Sequence, residues 1–125
     1  SQMVHKALLA AQALEKTGIS VEVLDLRTLV PLDKSAVLRS VRKTGRLLVA
    51  DEDYLGFGLS GEIAAIVAEN LDTLRLRAPV RRVAVPNVPI PYSRPLEQFV
   101  IPQVETLIAS VRELTGLSLS AVMEA

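Results

Sequence analysis

The run RLLVADE, residues 46–52, constrains the fold more than any other stretch. Leu47, Leu48, Val49 and Ala50 are consecutive and apolar, with Arg46 before them and acids after. A strand with one wet face alternates apolar and polar side chains. A short unbroken apolar run instead suits a strand covered on both faces, as in a parallel sheet between helices. Parallel neighbours also need crossover helices, so the flanking segments should be helical.

The flanks read that way. Residues 3–17 form a helix with Val4, Leu8, Ala11 and Leu14 on its apolar face and Gly18 as terminator. ISVEVLDLR, 19–27, alternates about Ile19, Val21 and Val23 and reads as a strand. TLVPLD is a turn in which Pro31 stops the ladder and Asp33 caps a helix over 34–44. Val37, Leu38 and Val41 share one face of that helix, and Gly45 follows it. After the strand at 46–52, the loop YLGFGLSG leads to a helix over 61–73, with Ser60 as its cap. APVRRVAV, 78–85, is a short strand. PNVPIPYSRP, 86–95, has four prolines and is expected to be an extended crossing. A last helix over 102–115 opens on Pro102 and turns Val104, Leu107, Ile108 and Val111 inward. Leu48, Val49, Val23 and Ile63 are expected in the core. The order is helix, strand, helix, strand, helix, strand, helix, a three-layer α/β/α arrangement with a mostly parallel sheet. One domain is expected over 1–116, with a tail at 117–125. The chain opens on a helix with no strand to feed it.

Composition limits the functions. Fourteen basic and fourteen acidic residues give a net charge of zero, which argues against nucleic acid or a basic membrane patch and does not oppose self-association. Without cysteine there is no disulfide framework, thiol nucleophile or cysteine-based zinc site. No apolar run nears the roughly 20 residues of a membrane span, and SQMVHKALLAAQ lacks a signal-peptide layout.

Candidate chemistry gathers after the buried strand. Asp51, Glu52 and Asp53 lie at a strand's carboxyl end, where open α/β sheets bind ligands, and could hold magnesium. The plainer reading is that they face solvent or a partner chain. Gly56, Gly58 and Gly61 give G-x-G-x-x-G, but the loop lacks a phosphate-binding lysine, and the acid expected about 20 residues on falls between Asp72 and Arg82 at no strand end. His5, the only histidine, has no nucleophile or carboxylate partner placed by spacing and reads as a surface residue.

Five stretches carry a resemblance. GISVEVLDLRTLVPLD, SVRKTGRLLVADE, GFGLSGEIAAIVAE, APVRRV and VPIPYSRPLEQFVIP together resemble the C-terminal domain of the beta subunit of 2-oxo acid dehydrogenase complexes. These are the thiamine-diphosphate decarboxylase components acting on pyruvate, branched-chain 2-oxo acids or acetoin, and transketolase shares the domain. The resemblance spans about residues 3–115 and implies a transketolase C-terminal-like fold lacking its first parallel strand. It also implies that thiamine diphosphate and magnesium are held by other domains of the parent enzyme, so no catalytic, cofactor or metal residue is expected here.

The task implied is assembly with a second beta subunit, an alpha subunit and the subunit-binding domain of the acyltransferase. The setting implied is the bacterial cytoplasm or the mitochondrial matrix. The expected interface is Tyr54, Leu55 and Phe57 with Ile90, Tyr92 and Phe99, and the chain should be a homo-oligomer. A free-standing small-ligand or nucleotide binder built on the loops near Asp51 and Gly56 is the rival reading.

Overall fold

The computed structural model describes residues 2–89 and 92–116. The tail at 117–125 and the candidate interface residue Ile90 lie outside the described residues. The elements are α1 (Gln2–Glu15), α2 (Lys34–Thr44), β1 (Leu48–Tyr54), α3 (Leu59–Ala68), β2 (Arg81–Val85), α4 (Arg94–Val100) and α5 (Val104–Thr115).

β1 and β2 pair in parallel, with Leu48 opposite Arg81, Val49 opposite Arg82 and Ala50 opposite Val83. α3 forms the crossover that a parallel pair requires. Side chains along β1 alternate between two helical layers. Leu48 and Ala50 pack with Met3, Ala10 and Leu107 of α1 and α5. Leu47 and Val49 pack with Val37, Val41, Ile63 and Val67 of α2 and α3. The apolar run therefore serves a strand covered on both faces, and the three-layer α/β/α architecture holds.

Local chemistry sets the helix ends. Asp33 Oδ1 accepts from Ala36 N at 3.0 Å, the expected cap of α2. Arg42 and Lys43 stand in its last turn, where carbonyl dipoles favour cations. Gly45 ends it at φ 74°, and Arg77 N donates to Gly45 O at 2.7 Å. A Cβ on Gly45 would lie 2.9 Å from Arg77 Cγ, so the position needs glycine for both its dihedral and its neighbour.

Several expectations are corrected. α1 buries Met3, Ala10 and Leu14, while Leu8 is 46% exposed. Only Leu14 of the expected stripe is fully inside. The face is rotated because α1 lies against α5 and β1, where the small Ala7 and Ala10 permit close approach. α3 starts at Leu59 after Gly58, and Ser60 is buried within it, not capping it. It stops at Ala68 and gives way to a 3₁₀ turn at Leu71–Thr73. There Asn70 Nδ2 donates to Ile66 O at 2.7 Å and satisfies a carbonyl left over at the helix end. The proline-rich stretch is not extended throughout, because Pro95 fits the first turn of α4. Pro102 precedes α5, which begins at Val104 with Gln103 N donating to Thr106 Oγ1 at 3.4 Å.

The largest correction concerns residues 19–27. They carry strand-like alternation but form no strand. Among the described residues, no backbone group of residues 20–25 pairs with another backbone group outside the segment. A cavity of about 790 Å³ separates the segment from β1, lined on one side by residues 19–27 and on the other by residues 47–52. Val23, Leu48 and Val49 line it and are consequently half-buried, whereas Ile63, also expected inside, is 3% exposed. The far wall is tied to α2 by Lys43 Nζ donating to Glu22 Oε2 at 2.7 Å. That bond holds the Glu22 carboxyl below its ordinary value and the Lys43 ammonium above its own.

Candidate functional site

The carboxyl end of the sheet is where the sequence placed its candidate residues. The three acids do not converge there. A strand turns successive side chains to opposite faces, and Glu52 and Asp53 are exposed while Asp51 is half-buried. Asp53 Oδ1 is engaged by Tyr54 N at 2.8 Å. Asp51 Oδ2 is buried with no hydrogen-bond partner and lines the cavity beside β1. Among the described residues no three His, Cys, Asp or Glu side chains come together as metal ligands. His5 is exposed on α1.

The glycine loop after β1 has a structural explanation. A Cβ on Gly58 would fall 1.9 Å from Tyr54 O, and one on Gly56 would fall 2.4 Å from Asn87 Nδ2. Both approaches are closer than any side chain permits. Gly61 differs, since its Cβ would meet only Arg82 Nη1, at 3.7 Å. The spacing that imitates a nucleotide fingerprint thus arises from the Asn87 side chain over Gly56, the Tyr54 carbonyl against Gly58 and a helical glycine.

The loop is pinned from the β2 side. Leu55 N donates to Val85 O at 2.8 Å, and Gly56 N to Asn87 Oδ1 at 3.1 Å. Arg82 Nη1 donates to Leu55 O at 2.8 Å and reaches the buried Ser60 Oγ at 3.4 Å. Sequence reasoning missed Arg82 and Asn87, whose roles depend on residues roughly 30 positions away. Between these pins Phe57 has φ 60°, an uncommon conformation for a bulky residue. Its side chain is fully exposed, at 111% of the reference area.

Other candidate interface residues share this exposure. Tyr92 is at 104% and Phe99 at 86%, while Tyr54 is just exposed and Leu55 is half-buried under the loop. The loop at the end of β1 therefore presents the Phe57 ring on a fixed backbone.

Comparison with known proteins identifies the family of this fold. The family model for the transketolase C-terminal domain matches residues 1–107. The chain belongs to that family. It is similar to the 2-oxoisovalerate dehydrogenase subunit beta of Bacillus subtilis, 42% identical over 112 residues, covering 89% of this chain and 34% of that one. It is 43% identical over 112 residues to the mitochondrial pyruvate dehydrogenase E1 component subunit beta-1 of Oryza sativa, covering 90% of this chain and 30% of the relative. The beta subunit of the acetoin:2,6-dichlorophenolindophenol oxidoreductase of Cupriavidus necator is 43% identical over 111 residues, covering 89% and 32%.

Among solved structures, a split-gene transketolase described as an inactive beta4 tetramer superposes with a TM-score of 0.76 at 30% identity. The match covers 92% of this chain and 36% of that one. The chain spans about a third of the length of these relatives. The resemblance read from the five sequence stretches is thereby established at the level of family and fold.

Proposed function

We propose that this chain is a non-catalytic assembly domain of the decarboxylase component of a 2-oxo acid dehydrogenase, and that it acts by joining subunits. The observation that carries the reading is the exposure of three large rings, Phe57, Tyr92 and Phe99, with Phe57 held out by a loop pinned to β2. The relatives' names supply the context, being beta subunits of pyruvate, 2-oxoisovalerate and acetoin-type enzymes. A relative of similar fold described as a beta4 tetramer supports association between copies. The partners proposed are a second beta subunit, an alpha subunit and the subunit-binding domain of the acyltransferase. The setting proposed is a bacterial cytoplasm or a mitochondrial matrix. No helix among the described residues is long and apolar enough to cross a membrane.

The parent enzyme's thiamine diphosphate and magnesium do not fit the residues described here. Asp51, Glu52 and Asp53 do not converge, and the space over Gly56 and Gly58 is filled by Asn87 and Tyr54 of the same chain.

Two measurements test the reading. Sedimentation at micromolar concentration is expected to show a dimer or larger assembly, and Phe57→Ala with Tyr92→Ala is expected to shift it toward monomer. Three aromatics burying about 150–250 Å² each approach the roughly 800 Å² per partner of a stable interface. A monomer unchanged by these substitutions would refute the association. Micromolar, magnesium-dependent binding of thiamine diphosphate, measured by isothermal titration, would refute the non-catalytic assignment.

A further inference from the structure

We propose that the amino end of the sheet is a docking site for an extended acidic segment of a partner polypeptide. The segment carries carboxylates at alternate positions, and they pair with Arg75 and Arg77.

The net charge of zero hides an uneven distribution. β1 and β2 start side by side, with Leu48 opposite Arg81, and α2 and α5 end beside them. Arg77 N donates to the carbonyl of Gly45, the residue that closes α2, at 2.7 Å. Arg46 Nε donates to Leu114 O of α5 at 3.0 Å. Arg42, Lys43, Arg46, Arg75, Arg77 and Arg81 gather at this end. Asp51, Glu52 and Asp53 stand toward the opposite end of β1.

Part of this charge is answered within the chain. Lys43 donates to Glu22, Arg81 pairs with Glu113, and Arg42 Nε donates to Thr73 O at 3.4 Å. Arg42, Lys43 and Arg46 also offset the carbonyl ends of α2 and α5. Arg75 and Arg77 are different. Both are exposed, and among the described residues neither side chain makes a hydrogen bond or ion pair. Asp72, in the preceding turn, pairs with neither.

Local structure aims the two arginines. Leu74 is extended, with φ −118° and ψ 152°. Leu74 and Leu76 belong to the apolar cluster of α2 and α3, while Arg75 and Arg77 face water. An extended backbone advances about 3.3 Å per residue, so the two stand about 7 Å apart on one side. Alternate side chains of a second extended chain have the same spacing. The stem of Arg77 lies over Gly45, which limits its directions. Each guanidinium offers a planar fork that matches a carboxylate through two hydrogen bonds.

The surroundings select a polypeptide. A compact anion such as phosphate is cradled by free backbone N–H groups. Those of Gly45, Arg77 and Arg81 already donate to Val41, Gly45 and Leu47. Single-stranded nucleic acid stacks its bases on aromatic rings, and the exposed rings of Tyr54, Phe57, Tyr92 and Phe99 lie outside residues 71–81. A second copy is a poor source of the acids, since Asp51 is half-buried and Asp53 Oδ1 is engaged by Tyr54 N.

The probe is a capped heptapeptide alternating Thr and Glu, with Thr at both ends. It is titrated into the full chain at an ionic strength of about 0.15 M, where charges beyond about 8 Å are screened. It is expected to bind and to shift the Nε–H NMR signals of Arg75 and Arg77. Arg75→Gln with Arg77→Gln is expected to weaken binding about 3- to 30-fold, the range for two exposed ion pairs. Arg27→Gln with Lys34→Gln removes the same charge ahead of and at the start of α2, and is expected to leave the affinity unchanged. All four side chains are exposed, so both variants are expected to melt as the parent does.

Equal weakening by the two pairs of substitutions would show diffuse attraction and overturn the proposal. Equal binding of a peptide of the same composition with its Glu residues adjacent would overturn the spacing that defines the site. An oligothymidylate of equal charge that binds as tightly would assign the surface to nucleic acid and overturn the partner named here. Self-association displaced by the peptide would assign it to a second copy, with the same consequence.

Discussion

Gly58 and Gly61 belong to the same sequence fingerprint but should respond oppositely to alanine. Gly58 has φ −89° and ψ 178°, extended backbone that any residue adopts, so dihedral strain is not the issue. The obstacle is spatial. A Cβ there would fall 1.9 Å from Tyr54 O and 3.0 Å from Tyr54 C, both main-chain atoms at the end of β1. Relief requires the Tyr54 carbonyl or the start of α3 to move, and forced insertion of one methyl group costs about 1–3 kcal/mol.

Gly61 sits inside α3 with only the tip of Arg82 nearby, at 3.7 Å. Alanine there gains helix propensity, up to about 1 kcal/mol. Urea unfolding separates the two. With m of roughly 2 kcal/mol per molar, Gly58→Ala should lower the midpoint by about 0.5–1.5 M, and Gly61→Ala should raise it by as much as about 0.5 M. The m value should stay constant in both. A Gly58→Ala protein within about 0.5 kcal/mol of the parent, the range of ordinary surface changes, would refute the close-contact explanation. Equal destabilisation at both sites would refute the distinction between them.

Other consequences are simpler to read. Leu14 is fully buried and Leu8 is 46% exposed, so Leu14→Ala should cost about 2–5 kcal/mol and Leu8→Ala less than about 0.5 kcal/mol in chemical denaturation. The reverse order would mean that α1 presents its other face. Glu22 titrates below its ordinary value of 4.5 because Lys43 donates to it. Stability from the pair is therefore present above that value and lost as pH falls through the lowered Glu22 pKa. At the alkaline end it is present below the ordinary 10.5 of Lys43 and lost as pH rises through the raised value. A carboxyl NMR titration should show Glu22 returning toward 4.5 in Lys43→Met, and no change there would mean that the pair does not form in solution.

What the sequence made legible was local. The four apolar residues at 47–50 identified a strand covered on both faces, and Asp33 and Gly45 marked the ends of α2. These depend on neighbours a few positions away. The alternation at 19–27 was equally visible, yet alternation records which side chains want burial and says nothing about what the backbone pairs with. With no strand beside it among the described residues, the segment stays unladdered. The rotation of α1 was not legible because the choice between Leu8 and Ala10 is made by α5, nearly a hundred residues on.

In the loop after β1, Tyr54 and Phe57 were named individually from the sequence. Their setting was not, since Arg82 and Asn87 reach the loop only through the β1–β2 pairing. The glycine triplet misled for a similar reason: a phosphate and a neighbouring carbonyl exclude a Cβ equally well, and only coordinates show which is there.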